Sequence, residues 1–190
     1  MKNRISPRHP TYDYTSPGGY FVTICTQDRE HYFGNIVDGV MIHNDIGECC
    51  ENEIRNIETK RKNVEIHEYI VMPNHIHMIL VLGIWNADDN IWYVRRDALA
   101  GRPDEYKSIR TGREPVPTDI VNHDHYGWPT LWQIINTFKW NVKKYTNKNN
   151  ILFARQSRYH DHIIRHQKSY KRIKYYIKNN PKNRNEDKFF

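Results

Sequence analysis

The chain has 190 residues, with 29 Lys and Arg against 22 Asp and Glu, a formal net charge of +7 and a pI near 9.2. That length holds one domain, or one domain with an insertion, and an apolar share of 38% with 13% aromatics supplies a core and excludes a disordered chain. No apolar run approaches a membrane span, and the basic balance suits a phosphate-rich partner.

Residues 1–19 are rich in Arg, Tyr, Pro and Gly and end in the turn Ser16-Pro17-Gly18-Gly19, which reads as an arm outside the core. Tyr12 and Tyr14, beside Arg4 and Arg8, suit base stacking and phosphate contact; the alternative is that they lie flat on the domain. The first ten residues are polar and basic, unlike a signal peptide. Cys25, Cys49 and Cys50 form no C-x-x-C and are odd in number, so they read as reduced thiols in a cytoplasmic protein.

Residues 20–26 form a strand by β-branched and aromatic content, and 39–42 a short edge strand. Asn44 or Asp45 starts a helix through about Lys60 that carries Ile46, Cys49, Cys50, Ile54 and Ile57 inward. Residues 64–71 alternate as a strand and run into a second strand at 75–82, opened by a Pro73-Asn74 turn. Alternate side chains of a strand share a face, so His75 and His77 point the same way about 6.6 Å apart. Ile76, Met78, Leu80 and Leu82 line the other face. Two imidazoles so placed can converge on one metal ion, or hydrogen-bond to neighbours at the strand end.

Residues 84–128 give no sustained period and read as an extended surface insertion, partly ordered by its aromatics. Helical spacing returns after Pro129-Thr130, with Leu131, Ile134, Ile135, Phe138, Val142 and Tyr145 inward and Gln133, Lys139, Asn141, Lys143 and Lys144 assigned to the outer face. Residues 151–164 read as a strand or irregular segment. A last helix begins near Gln167 and stops before Pro181. Its inward face is Tyr170, Ile173 and Ile177; Tyr176 and Asn180 lie on the border of that face one turn apart, while Lys171, Lys174, Tyr175 and Lys178 point elsewhere. The order β-α-β-β-α-β with an appended helix predicts a single α+β, ferredoxin-like domain, an antiparallel sheet backed by helices.

Met72-Pro73-Asn74-His75-Ile76-His77 resembles the HUH signature of single-tyrosine, single-strand DNA transposases, the insertion-sequence-200-like group. Tyr14 to Gly34, with Gly19-Tyr20-Phe21-Val22-Thr23-Ile24-Cys25-Thr26, resembles the start of one branch, the REP-associated tyrosine transposases. Asp161-His162-Ile163-Ile164-Arg165 followed by Tyr175-Tyr176-Ile177-Lys178-Asn179-Asn180-Pro181 resembles its end. The chain departs from the branch in its long 84–128 insertion. It also has Phe153-Ala154-Arg155-Gln156-Ser157-Arg158-Tyr159-His160 where the branch carries Trp-Gln-Arg before Tyr-Tyr-Asp/Glu-His.

The resemblance implies that His75, His77 and Asn180 hold a divalent metal, Mg²⁺ or Mn²⁺. It implies that Tyr176 is the nucleophile and forms a 5′-phosphotyrosine on single-stranded, hairpin-folded DNA. Lys139, Lys143, Lys174 and Lys178, with Arg4, Arg8, Tyr12 and Tyr14, then become the candidate DNA contacts. Monomer and homodimer are both open. Two rival readings stand beside it. One is a nucleic-acid-binding module of the same fold with a dead active site. The other is a zinc hydrolase that recruits a third histidine from His123, His125 or His162.

Overall fold

The computed structural model describes residues 17–61, 63–86, 91–93, 129–184, 187 and 189. Strands β1 (Gly18–Cys25), β4 (Val64–Val71), β5 (His75–Leu82) and β8 (His160–Ile164) form one antiparallel sheet in the order β4-β5-β1-β8. Helix α1 (Asp45–Lys60) connects the first two of these, and α2 (Leu131–Lys148) the last two. This is the ferredoxin-like arrangement, with helix α3 (Gln167–Asn179) added.

The helices divide between the faces, and the sequence dictates which goes where. Ile76, Met78, Leu80 and Leu82 of β5 pack with Ile46, Ile54 and Ile57 of α1 and with Leu131, Ile134, Ile135, Phe138 and Val142 of α2. On the opposite face Ile79 and Val81 pack with Ile164 and with Ile173 and Ile177 of α3. Every residue of β5 is therefore buried, which explains its near-continuous apolar run. Helix starts are chemically marked. Asn44 accepts from the amides of Ile46 and Gly47, both at 3.1 Å. Thr130 and Gln133 form a reciprocal capping box with bonds of 2.7 and 3.2 Å.

The structure refines the expectation in three places and overturns it in a fourth. The edge strand at 39–42 is half of a hairpin, β2 (Gly34–Val37) and β3 (Val40–His43). Asp38 and Gly39 at its turn both have positive φ, 51° and 75°, which Asp-Gly tolerates and a two-residue hairpin turn needs. Within the segment read as an insertion, β6 (Ile84–Asn86) pairs with β7 (Ile91–Tyr93); the remainder lies outside the described residues. The strand expected across 151–164 is confined to β8, preceded by an isolated bridge between Thr26 and Arg155.

The fourth departure is Lys139. It does not face outward; it is buried, and its ammonium donates to the carbonyls of Gln156, Ser157 and Arg158 at 3.2, 3.3 and 3.0 Å. The reason is geometric: position 139 is four residues after Ile135 and three before Val142, inside the apolar stripe. Burial pushes its pKa down from 10.5 to about 8, and nearby Arg155 adds to the effect. Between those two values the unfolded chain binds more protons than the folded one, so this residue's contribution to stability rises with pH. Urea unfolding of wild type and Lys139→Met across pH 7 to 10.5 should show a stability difference that shifts in favour of wild type above about pH 8. A difference flat in pH would show that Lys139 titrates normally.

Candidate active site

His75 and His77 stand at the N-terminal end of β5, fully buried, with ring centroids 4.5 Å apart. The turn before them is pinned by the backbone. Thr26 donates from its amide and its hydroxyl to the Asn74 carbonyl, each at 2.9 Å, and the Phe33 amide donates to the Pro73 carbonyl at 3.0 Å. In the β5–β1 ladder His75 lies opposite Cys25 and His77 opposite Thr23. Each ring has one nitrogen tied back to the protein: His75 Nδ1 lies 2.7 Å from Asn74 Oδ1, and His77 Nδ1 lies 2.9 Å from Thr23 Oγ1.

The other nitrogens converge on a residue that sequence reasoning missed. Asp187 Oδ2 lies 3.3 Å from His75 Nε2 and 3.1 Å from His77 Nε2, and both contacts are fully buried. Asn180 Nδ2 donates to the same oxygen, and the Phe189 amide donates to Oδ1 at 2.7 Å. Tyr176 brings its hydroxyl to 3.2 Å from His77 Nε2 and sets its ring edge-on to Phe21. The Phe189 ring closes the cluster, 5.7 Å from His77 and 5.3 Å from His160, with the Arg29 guanidinium 5.4 Å above it. Asp187 sits in a polar stretch after Pro181 with no period to reveal it; the only sequence signal is Phe189-Phe190 just beyond, which asks for cover.

The electrostatics follow from this packing. Burial alone would raise the Asp187 carboxyl pKa, but hydrogen bonds from His77, Asn180 and the Phe189 amide outweigh it and hold the group well below the usual range. The same burial, with Asp187 beside it, pushes the Tyr176 phenol well above its ordinary value, against a smaller opposing effect of Asn180. As the site stands, Asp187 is ionised and Tyr176 keeps its proton.

These residues fit a divalent cation. His75, His77 and Asp187 form a buried ligand group whose atoms lie within 4.8 Å of one another. Neighbouring ligands on an octahedral Mg²⁺-sized ion stand about 3 Å apart, close to the observed 3.1 and 3.3 Å. His75 Nε2 and Asn180 Oδ1 are buried without a hydrogen-bond partner among the described residues, the condition that a bound cation would relieve.

Of the other candidates, Tyr175 is 69% exposed and points away from the cluster. Lys143 donates to the Phe153 carbonyl at 2.9 Å. Lys174 and Lys178 lie 3.8 and 3.5 Å from Glu68. His162, opposite Phe21 on β8, is not part of the ligand group. Arg4, Arg8, Tyr12, Tyr14, His123 and His125 lie outside the described residues. Among the described residues no helix is long and apolar enough to cross a membrane.

No protein-family model matches the chain. An uncharacterized protein of Haemophilus influenzae is 31% identical over 182 residues, covering 95% of this chain and 89% of that protein. A solved structure of a REP-associated tyrosine transposase bound to a REP hairpin superimposes with a TM-score of 0.53 at 17% identity, over 93% of this chain and 74% of the other. That likeness is one of fold.

Calorimetric titration with Mn²⁺ tests the ligand group directly. His75→Ala, His77→Ala and Asp187→Asn should each weaken binding by at least about tenfold, with far-UV circular dichroism unchanged. Wild-type affinity in all three would remove the metal site.

Proposed function

We propose that this chain, which belongs to the same family as the Haemophilus influenzae protein, is a REP-associated tyrosine transposase or nuclease acting on single-stranded, hairpin-folded DNA. The observation that carries the reading is the Tyr176 hydroxyl 3.2 Å from His77 within a buried His-His-Asp group. A helix-borne phenol beside a prospective metal site is the equipment of phosphoryl transfer through a covalent intermediate. The fold shared with the hairpin-bound transposase supports it.

In this reading His75, His77 and Asn180 hold Mg²⁺ or Mn²⁺, with Asp187 as the carboxylate between them. The bound cation supplies positive charge that offsets Asp187 and polarises a phosphate oxygen. Tyr176 Oη attacks phosphorus, and the bond from phosphorus to the 3′ oxygen breaks. The phenol's proton is balanced by the proton gained at the released 3′-hydroxyl. Attack by another 3′-hydroxyl reverses the step and needs no nucleotide cofactor. Phe21 and the helix backbone keep the phenol aimed, since its ring packs edge-on against Phe21.

Lys174 and Lys178, only loosely paired with Glu68, can exchange that partner for phosphate, because surface ion pairs contribute little. Arg4, Arg8, Tyr12 and Tyr14 and the half-buried Lys143 complete the proposed DNA contacts. Lys139 takes a different part from the one its charge suggested: it fixes the 156–158 loop from beneath rather than meeting phosphate.

Two measurements test this. Incubated with labelled hairpin DNA and Mn²⁺, wild type and Tyr175→Phe should give a covalent adduct on a denaturing gel, and Tyr176→Phe should give none while still binding the DNA. An adduct lost in Tyr175→Phe and kept in Tyr176→Phe would overturn the assignment. Hairpin affinity should also fall linearly on a log–log plot against salt as phosphate contacts release counterions; an affinity indifferent to salt would count against a basic DNA-binding surface.

A further inference from the structure

We propose that Asn74 and Thr23 are positioning residues that set where the protons sit on the two site histidines. Asn74 locks His75 as a permanent electron-pair donor at Nε2, and Thr23 lets His77 switch tautomer when a cation enters. The inference rests on the reading that these histidines hold a metal, and is independent of which tyrosine attacks.

A neutral imidazole carries one proton, on one nitrogen or the other. A carboxamide oxygen only accepts. With Asn74 Oδ1 2.7 Å from His75 Nδ1, the proton belongs on Nδ1 and Nε2 is left bare. That accounts for buried His75 Nε2 having no hydrogen bond among the described residues, although Asp187 Oδ2 is only 3.3 Å away. A lone pair and a carboxylate oxygen facing each other in a buried site repel unless positive charge lies between them. The Asn74 side chain is well placed for this because its backbone carbonyl is held twice by Thr26.

His77 is wired differently. Its Nε2 hydrogen-bonds to Asp187 Oδ2 at 3.1 Å, and a carboxylate only accepts, so Nε2 carries the proton here. Its Nδ1 then takes a hydrogen bond from Thr23 Oγ1 at 2.9 Å. A hydroxyl can donate or accept. When Nε2 turns to a cation, the proton moves to Nδ1 and the Thr23 hydroxyl rotates to accept it. No proton leaves the site. Thr23 is directly opposite His77 in the ladder and 2% exposed, so no water need stand in for it. One fixed ligand and one adaptable ligand let the site keep His77 hydrogen-bonded to Asp187 without metal and release it with metal.

The test pairs metal affinity with a direct view of the protons, on the full chain. Long-range ¹H–¹⁵N spectra of the metal-free protein should show His75 protonated at Nδ1 and His77 at Nε2, and Mg²⁺ should move His77 to Nδ1. Asn74→Ala and Thr23→Val should each weaken Mn²⁺ by about 10- to 100-fold. Asn74→Asp and Thr23→Ser, which keep an acceptor and a hydroxyl, should restore most of the affinity. His75 protonated at Nε2 in the metal-free protein, or undiminished affinity in both Asn74→Ala and Thr23→Val, would overturn the proposal. If wild type takes up no Mn²⁺, or His75→Ala and His77→Ala bind as well as wild type, the metal reading falls and takes this one with it. A folded, metal-binding wild type beside unaffected Asn74 and Thr23 variants defeats this inference alone.

Discussion

The register of β5 against β1 is the constraint on which the site depends. Side chains alternate along a strand, so a slip of one residue would send His75 and His77 into the α1–α2 core and bring Ile76 and Met78 out beneath α3. The apolar face prevents the slip. Ile76, Met78, Leu80 and Leu82 are all buried in the α1–α2 core, and each such side chain is worth about 1.5–3 kcal/mol when withdrawn from water. Four of them far outweigh the hydrogen bonds that the two histidines make. The chemistry at one end of β5 is thus positioned by hydrophobic burial along its whole length.

Helix α3 has to reach the same point from another element: Ile173 and Ile177 pack against Ile79, Val81 and Ile164, with Phe21, Ile70, Tyr170 and Tyr176 around them. A register shift in β4 between Ile66 and Glu68 helps. A bulge breaks alternation and lets consecutive residues serve one side. Here His67 meets the Tyr170 hydroxyl at 3.0 Å while Glu68 meets Lys174 and Lys178. These contacts lie along the helix from its first turn to its last, and the His67–Tyr170 bond adds to the apolar packing in setting its direction. That direction sets Tyr175 in solvent and Tyr176 over His77.

What was legible in the sequence was periodic. The alternation in β5, the three-and-four spacing of α1, α2 and α3, and the shared face of His75 and His77 all follow from repeat lengths of two and 3.6. What was not legible depended on contacts between residues distant in the chain. The charge of Lys139 points outward and its position inward; Ile135, Phe138 and Val142 mark the stripe it belongs to. Its burial is tolerable only because three carbonyls from 156–158 surround it, and no local pattern announces that. Asp38-Gly39, by contrast, was a readable turn signal that the edge-strand reading passed over.

Asp187 ties the two halves of the site together. Its Oδ2 meets both histidines, it accepts from Asn180, and its charge weighs on the Tyr176 phenol. Neutral imidazoles carry no charge, so the buried carboxylate keeps its full negative charge, held by hydrogen bonds from His77, Asn180 and the Phe189 amide. A cation held by the same ligand group would offset that charge. The same cation would offset the Asp187 part of what raises the Tyr176 phenol, while burial, the larger cause, would remain. In the proposed function, the metal ligands and the charge beside the Tyr176 phenol meet at one carboxylate oxygen. That is why a residue with no sequence signature matters as much to the geometry as the two histidines that have one.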